Sequence, residues 1–545
     1  MQNMLFVLPL ITTSWVGVTA ASLDSATRTT QPNWFQTSPQ SYQGVTATGS
    51  APFLAETNPA FSSNETYIAN DPLVTNQPIS GAHRRNIFHH AGNLSPYFSS
   101  EDGFGVEEYP IPVGANITQM HILHRHGSRY PSSSEGFPPW AEGIKNSTAT
   151  GNRFKGALSF LNDWSYGLGA EILVPKGRQE LFDSGVLDYY NYGHLYNESL
   201  GHRLVARTTT QDRMLKSAEN FLAGFFGLDW TNKANLLAMI ESVGFTNSLI
   251  GIYSCTNAMT VIANTSIYEP MEQWINIYLK ERTAALKELS RSYNWTATDS
   301  HNAQSLCVYE TISFGYSQFC QLFTYDEFEE YSYSYDLMFT AMVGFQNHAG
   351  RAQGIAWVEE FLARVEGHVL QTTGTNANMT LATNPVTFPV DQNLYLDFTH
   401  DADIFATLTA FGFRKFAQFL PPTGPPKNQQ FSTSKVVPFG GRTNIEIIRA
   451  PHKVSTERSQ NRTHNDYVGD TTETYYVHFL QNQRTLPLHA SFSECEYRDD
   501  GWCELDTFLK IQRKSLERSQ FEYACFGNWS TPAYGDVTDG VPPRS

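Results

Sequence analysis

Three short apolar runs in this chain each end in a cluster of histidine, arginine or aspartate and then give way to a helical pattern. ITQMHIL (117–123) enters HRHGSRYP (124–131). HRLVA (202–206) enters RTTTQDR (207–213), after which Met214, Leu215, Ala218, Phe221, Leu222 and Phe225 recur at spacings of three and four. NLYLDF (393–398), with Leu394, Leu396 and Phe398 on one face, enters THDADI (399–404), and a helix is predicted through Ile404, Phe405 and Leu408. Strands that pass repeatedly into helices build an α/β fold, with a central, mainly parallel sheet flanked by helices. Ligands in such folds bind outside the carboxyl ends of the strands, where helix N-termini favour anions. The common placement of the three clusters predicts both the fold class and the position of a site.

The segment from 232 to 385 has another character. MEQWINIYLKERTAALKEL puts Met271, Trp274, Ile275, Tyr278 and Leu286 on a helical stripe, and GIAWVEEFLARVEGHVL repeats the pattern with Ile355, Val358, Leu362, Val365 and Val369. These stripes are core-packing faces of a smaller, mainly helical domain inserted into the α/β domain, whose parts run 85–231 and 386–545. Strand-like VVPFGGRTNIEII and TYYVHFLQ return the chain to the sheet. Residues 21–84 are rich in Ser, Thr, Gln, Asn and Pro without sustained periodicity and are expected to form a partly disordered arm.

The first 20 residues read as a secretory signal peptide: an apolar stretch from Met4 ends with Val18 and Ala20 at −3 and −1 of a cleavage site. Acceptor triplets for N-glycosylation at Asn64, Asn116, Asn146, Asn197, Asn264, Asn294, Asn378, Asn461 and Asn528 agree with a secreted, extracellular or cell-wall glycoprotein. Asn93 is a tenth, weakened by Pro96. Six cysteines, none in a C-x-x-C pair, fit an oxidising compartment. No later run approaches the ~18 apolar residues of a membrane span, so no stable membrane anchor is expected. A net charge of −16 with 17% charged residues argues against nucleic acid as a partner.

Against that acidic background the arginines stand out. Guanidinium matches phosphate oxygens in two-point contact, and Arg125, Arg129 and Arg207 converging would repel one another without an anion between them. His126 lies among them, and neutral imidazole is a competent nucleophile toward phosphorus. His400 and Asp401 offer a further donor and a proton source. His121 and His124 are read as shaping the strand. A metal site built on His124 and His126 is opposed electrostatically by the arginines. Asp397, His400, Asp401 and Asp403 lack a completing metallophosphatase segment, and the absence of G-x-S-x-G disfavours a serine esterase. No metal or cofactor is expected.

RHGSRYP resembles the R-H-G-x-R-x-P signature of the histidine acid phosphatases, the family of fungal acid phosphatases and phytases. GNLSPYF, GFGVEEYPIP, RTTTQDRMLKSAENF, CVYETISFGYSQFCQLFTYDEFEEYSYSYDL, DFTHDADI, VVPFGGRTNIEI and YYVHFLQNQRTLPL are similar to further blocks of that family, over about 86–526. R-H-G alone is shared with phosphoglycerate mutases; the combination is specific. The resemblance implies that His126 becomes a phosphohistidine, that Arg125, Arg129, Arg207 and His400 hold the phosphate, and that Asp401 protonates the leaving alcohol. It also implies disulfides Cys255–Cys525, Cys307–Cys320 and Cys495–Cys503.

Phytases that prefer inositol hexakisphosphate carry basic residues soon after the signature. Here SSSEGFPPWAEG follows Pro131, with no Lys before Lys145. The expected function is a broad-specificity acid phosphatase acting on small phosphate monoesters, with phytase as the alternative and an inactive glycoprotein of the same fold as the third reading. Donating a proton predicts a raised pKa for Asp401, against the pull of the arginines, whereas His126 is expected to be lowered.

Overall fold

The structure is a computed structural model and describes residues 86–543 apart from 101–102, 264–266, 462–465 and 470–471. The expected signal peptide, the 21–84 arm, Asn64 and Asn264 lie outside the described residues. The sheet is built from β1 (Asn116–Arg125), β2 (Leu204–Thr209), β3 (Ala234–Met239), β4 (Leu394–Thr399), β5 (Arg442–Ala450), β6 (Thr474–Gln481), β7 (Arg484–Thr485) and β8 (Cys503–Glu504). Their order is β3-β2-β4-β1-β5-β6-β7, with β8 beside β6. The first four in that order are parallel and the rest antiparallel.

Both faces of the parallel part are covered. Met120, Ile122, Ala206, Leu394, Leu396 and Phe398 pack with Leu181 and Phe221 of helices Pro175–Tyr192 and Asp212–Phe226. On the other face Leu123 joins Trp357, Phe361, Phe405 and Phe508, from helices Gly350–Glu366, Asp401–Phe411 and Leu505–Arg518. All six residues of β4 are buried rather than one face of them, as befits a central parallel strand. β1 pairs with β4 from Met120↔Leu394 to Arg125↔Thr399, so the two strands end side by side. Their onward connections use opposite faces: helix Pro175–Tyr192, between β1 and β2, packs on one and the helix after β4 on the other. A crevice opens at such a divergence.

The expected boundaries of the helical insertion differ from the structure in two places. β3 falls inside 232–385 and extends the sheet beside β2. Helix Gly350–Glu366 packs on the sheet, where Phe361 meets the His121 ring edge-on at 4.7 Å. The helical layer proper is formed by Phe137–Ala149 and by helices between Thr256 and Met342. Capping boxes at Thr296/Asp299 and Thr324/Glu327 start its two long helices, Ala297–Phe314 and Tyr325–Met342. Cys307 bonds to Cys320 within this layer, Cys255 bonds to Cys525 near the C-terminus, and Cys495 bonds to Cys503. Asn116, Asn146, Asn197, Asn294, Asn461 and Asn528 are exposed and Asn378 is half-buried.

Buried titratable groups set an acid-centred stability profile. Burial pushes Asp188 and Asp336 up to about 6 and about 7. A carboxyl raised in the folded state above its ordinary ~3.9 stabilises the fold fully at low pH, and that contribution is lost as pH rises through 6–7. Burial pushes His124 and His301 down to about 3. A histidine lowered in the folded state loses its contribution as pH falls from ~6.5 toward 3. The two sets oppose each other between about pH 4 and 6.5 and act alone outside it. From these groups the melting temperature should fall as pH drops below about 4, where only the histidines still titrate, and should change no further above about pH 7. Thermal melts at constant ionic strength from pH 3 to 8 check this; a steady climb to pH 8 contradicts it.

Candidate active site

β1 delivers Arg125 at its last position and His126 just beyond, and His126 N–H donates to the carbonyl of Thr399 at the end of β4 at 3.3 Å. The turn that follows admits no side chain at Gly127, where a Cβ would lie 2.2 Å from the carbonyl oxygen of Gly177. Glu180 holds the loop from beneath, accepting from the backbone N–H of Ser128 (2.8 Å), its Oγ (3.0 Å) and the N–H of Tyr97 (3.2 Å).

His126 is 2% exposed. Its Nδ1 lies 2.9 Å from the carbonyl oxygen of Gly127, which can only accept. Nδ1 therefore carries the proton, and the Nε2 lone pair is free. Burial first, then the charges of Arg125, Arg213, His400 and Arg129, hold this imidazole well below its ordinary pKa. Both effects favour the neutral imidazole, as expected.

The guanidinium of Arg125 is wholly buried against the Phe439 ring, 4.4 Å from its centroid. Its Nη1 donates to the carbonyls of Asn93 (2.5 Å) and Val437 (2.7 Å), and its Nη2 lies 2.6 Å from Asp401 Oδ2. Arg129 Nη1 donates to the Tyr130 carbonyl (2.9 Å) and to Glu135 Oε1 (3.1 Å). The ring centroids of His400 and His126 are 5.5 Å apart, and His400 Nε2 donates to the ionised Glu241 at 3.0 Å. Glu241 also accepts from Thr209 Oγ1 (2.5 Å) and Gln211 Nε2 (2.6 Å), and its pKa is lowered as the charge and hydrogen bond of His400 outweigh burial.

Asp401 opens the helix after β4. Its Oδ2 accepts from Asn93 Nδ2 (2.8 Å) and its Oδ1 from the Ala402 N–H (2.8 Å). Burial raises its pKa, but Arg125, the Asn93 hydrogen bond, His400 and Arg129 together outweigh burial and leave it lowered. The expectation of a raised pKa is thus corrected for the free site: at 2.6 Å an arginine wins over desolvation.

Arg207 is the second correction. β2 does not stop at Ala206 but runs to Thr209, so Arg207 sits inside the sheet opposite Asp397. Its Nε and Nη2 each donate to Asp397 at 2.7 Å, and its Nη1 donates to Glu360 at 2.7 Å. Each of its three nitrogens donates into a buried ion-pair cluster that also includes Arg364, so the Arg207 charge is already matched by two carboxylates inside the sheet. Arg213, in the first turn of helix Asp212–Phe226, is the third guanidinium at His126. Its charge and that of Arg129 disfavour each other, its Nη1 donates to Glu171 (2.6 Å), and its Nε is a buried donor without a partner, as is that of Arg129.

His121 and His124 are structural. His121 stacks on Tyr395 at 4.6 Å. His124 spends Nδ1 on the Arg125 carbonyl (2.7 Å) and Nε2 on Ser184 Oγ (2.8 Å), so it has no nitrogen for a metal. Asp397 is consumed by the arginines, and Asp403 accepts from the Gly251 N–H at 3.1 Å. Asn93, a weak glycan acceptor by sequence, is buried and bonded to Asp401. Glu135, Tyr309, Glu171 and Glu241 also reach the cluster from segments that carry no local signal of their role.

A parallel sheet whose strand ends gather a neutral histidine and three guanidiniums defines a phosphate-handling site. The model of the histidine phosphatase superfamily (branch 2) matches residues 116–482, and the chain belongs to that family. It is 30% identical to Phytase A of Aspergillus fumigatus over 443 residues, 77% of this chain and 86% of that one. It is also 30% identical to the thiamine-repressible acid phosphatase pho4 of Schizosaccharomyces pombe over 451 residues, with the same coverage. The phytase from D. castellii shares the fold, with a TM-score of 0.63 and 21% identity over 87% of this chain and 98% of that chain. Among the described residues no helix is long and apolar enough to cross a membrane.

Proposed function

We propose that this chain is a secreted acid phosphatase that hydrolyses phosphate monoesters through a phosphohistidine. The carrying observation is His126: neutral by burial, with Nδ1–H tied to Gly127 and Nε2 free beside Arg125, Arg129 and Arg213. Nε2 attacks phosphorus as the P–O bond to the alcohol breaks, and Asp401 gives that alkoxide its proton. Water then attacks phosphorus as the N–P bond breaks and passes its proton to the Asp401 carboxylate, which releases phosphate and restores both His126 and Asp401. Arg125, Arg129, Arg213 and His400 stabilise the charge on the non-bridging oxygens. The position of Arg207 argues that it supports the sheet instead.

Phytase activity is the second reading, favoured by the Phytase A relatives. Enzyme quenched in turnover with labelled phosphate ester should carry phosphate in an acid-labile, alkali-stable bond, and peptide mapping should place it on His126. Label on His124 or His400, or none under conditions of steady hydrolysis, contradicts the mechanism.

A further inference from the structure

Helices Pro175–Tyr192 and Asp212–Phe226 meet backbone to backbone: a Cβ on Gly224 would lie 2.1 Å from the carbonyl oxygen of Phe182. So close a crossing leaves no room between the helices for large side chains, and these stand at the rim instead. There they line an open groove of about 560 Å³. Tyr189, Tyr190, Tyr196 and Phe226 supply its rings, with Tyr196 edge-on to Phe226 at 4.8 Å. Tyr189 is 52% exposed and Tyr190 80%, the most exposed of the large apolar side chains among the described residues. A concave apolar patch rimmed by polar groups marks a surface that something covers. The charged residues of the groove, Glu198 and Lys233, pair with each other at 2.5 Å. The groove therefore carries no net charge and suits a neutral ligand with both polar and apolar faces.

Such a ligand is encoded beside it. Asn197 opens the acceptor triplet Asn197-Glu198-Ser199 and stands between two residues of the groove, Tyr196 and Glu198. It is exposed, and its Oδ1 accepts from the Ser199 N–H at 2.9 Å, which leaves Nδ2 for a sugar. A pyranose ring carries C–H groups on its faces and hydroxyls around its edge. The C–H face stacks on the negative face of a tyrosine ring, and the hydroxyls meet Glu198 and Lys233. The tether also decides between occupants. A link this short holds the sugar at about millimolar effective concentration, which a second copy of the chain does not reach in dilute solution. We infer that an N-linked glycan on Asn197 folds back into this groove and covers its tyrosines. Attachment joins Nδ2 to the anomeric carbon of an oligosaccharide carried on a lipid pyrophosphate; the pyrophosphate leaves with the bonding pair and Nδ2 gives up one proton. The inference lies outside the phosphate chemistry and rests on secretion alone.

The test compares the full chain secreted from a eukaryotic host with Ser199→Ala and Asn197→Gln, which remove this triplet, and with Asn528→Gln, which removes another. Glycopeptide mapping should find Asn197 occupied. Covering about 60 Å² of apolar ring is worth about tenfold in local opening, so hydrogen exchange over residues 189–193 should run about tenfold faster in the first two variants. Both should also bind more of the apolar dye anilinonaphthalene sulfonate, while their phosphatase turnover and the exchange of Asn528→Gln over 189–193 stay as in the wild type. Enzymatic removal of the sugar from the folded wild type should give the same acceleration, a readout that holds even if a variant is not secreted. A bare Asn197 among occupied acceptors, exchange unmoved by loss of the sugar, or equal acceleration in Asn528→Gln would each overturn the cover. Protection that returns in Ser199→Ala as its concentration is raised would make a second copy the occupant and overturn it too. No sugar at any acceptor would overturn the secretion reading, and the cover with it.

Discussion

Arg213→Ala should lower kcat/KM on an aryl phosphate by about 10²–10³-fold, the usual cost of removing a donor aimed at transition-state charge, while the melting temperature barely moves. The side chain holds the partly exposed Glu171 and little else of the fold. Arg207→Ala should do the reverse. It strips Glu360 and Asp397 of their shared partner in a region under 5% exposed, leaving Asp397 with Arg364 (2.7 Å) and Trp357 Nε1 (2.8 Å). Breaking a buried pair on one side costs roughly 3–5 kcal/mol, so the protein should unfold at markedly lower denaturant, and any folded fraction should keep its turnover. Urea unfolding of both variants, with kinetics on the folded material, checks the pair. A stable but inactive Arg207→Ala beside an active Arg213→Ala would restore Arg207 to the phosphate site.

That exchange shows how far the sequence carried. RTTTQDR contains both arginines, and its place between a strand and a helix was legible. The strand's end was not. A reading that stops at Ala206 leaves Arg207 at the rim. Its true environment depends on Asp397, 190 residues away, opposite it only because β2 and β4 pair in parallel. Local periodicity holds no record of such a partner.

His126, Arg125 and Arg129 were legible because one strand and one turn place all three. Asp401 followed for the same reason on β4. Glu135 was not legible: its stretch showed only that basic residues are missing, and its bonds to Arg129 and Tyr309 require the helical layer. Asn93 read as a glycan acceptor because its triplet says nothing of burial. The helical insertion was seen as composition. Its boundary failed at β3, whose half-buried edge position gives neither alternation nor a continuous apolar run.

Asp401→Asn should lower the cleavage of an alkyl phosphate by roughly 10²–10⁴-fold, the range general acid catalysis supplies, and an aryl phosphate should lose far less in the phosphorylation step. The free site holds the Asp401 carboxyl below its ordinary pKa, chiefly through Arg125 at 2.6 Å, with Asn93 donating to the same oxygen. A carboxylate in that state cannot donate. A bound phosphate changes the balance: it gives Arg125 and Arg129 an anion of their own, and a negative charge beside Asp401 raises its pKa. The proton is thus taken up as substrate binds, which acid solution favours, while His126 stays neutral because burial as well as charge opposes its protonation. An alkoxide must receive that proton as it leaves, whereas a nitrophenolate leaves without it. Single-turnover phosphorylation of wild type and Asp401→Asn by the two esters separates the roles. If both substrates lose the same factor, Asp401 acts by holding Arg125 and the phosphate in place, and the leaving alcohol takes its proton from another source.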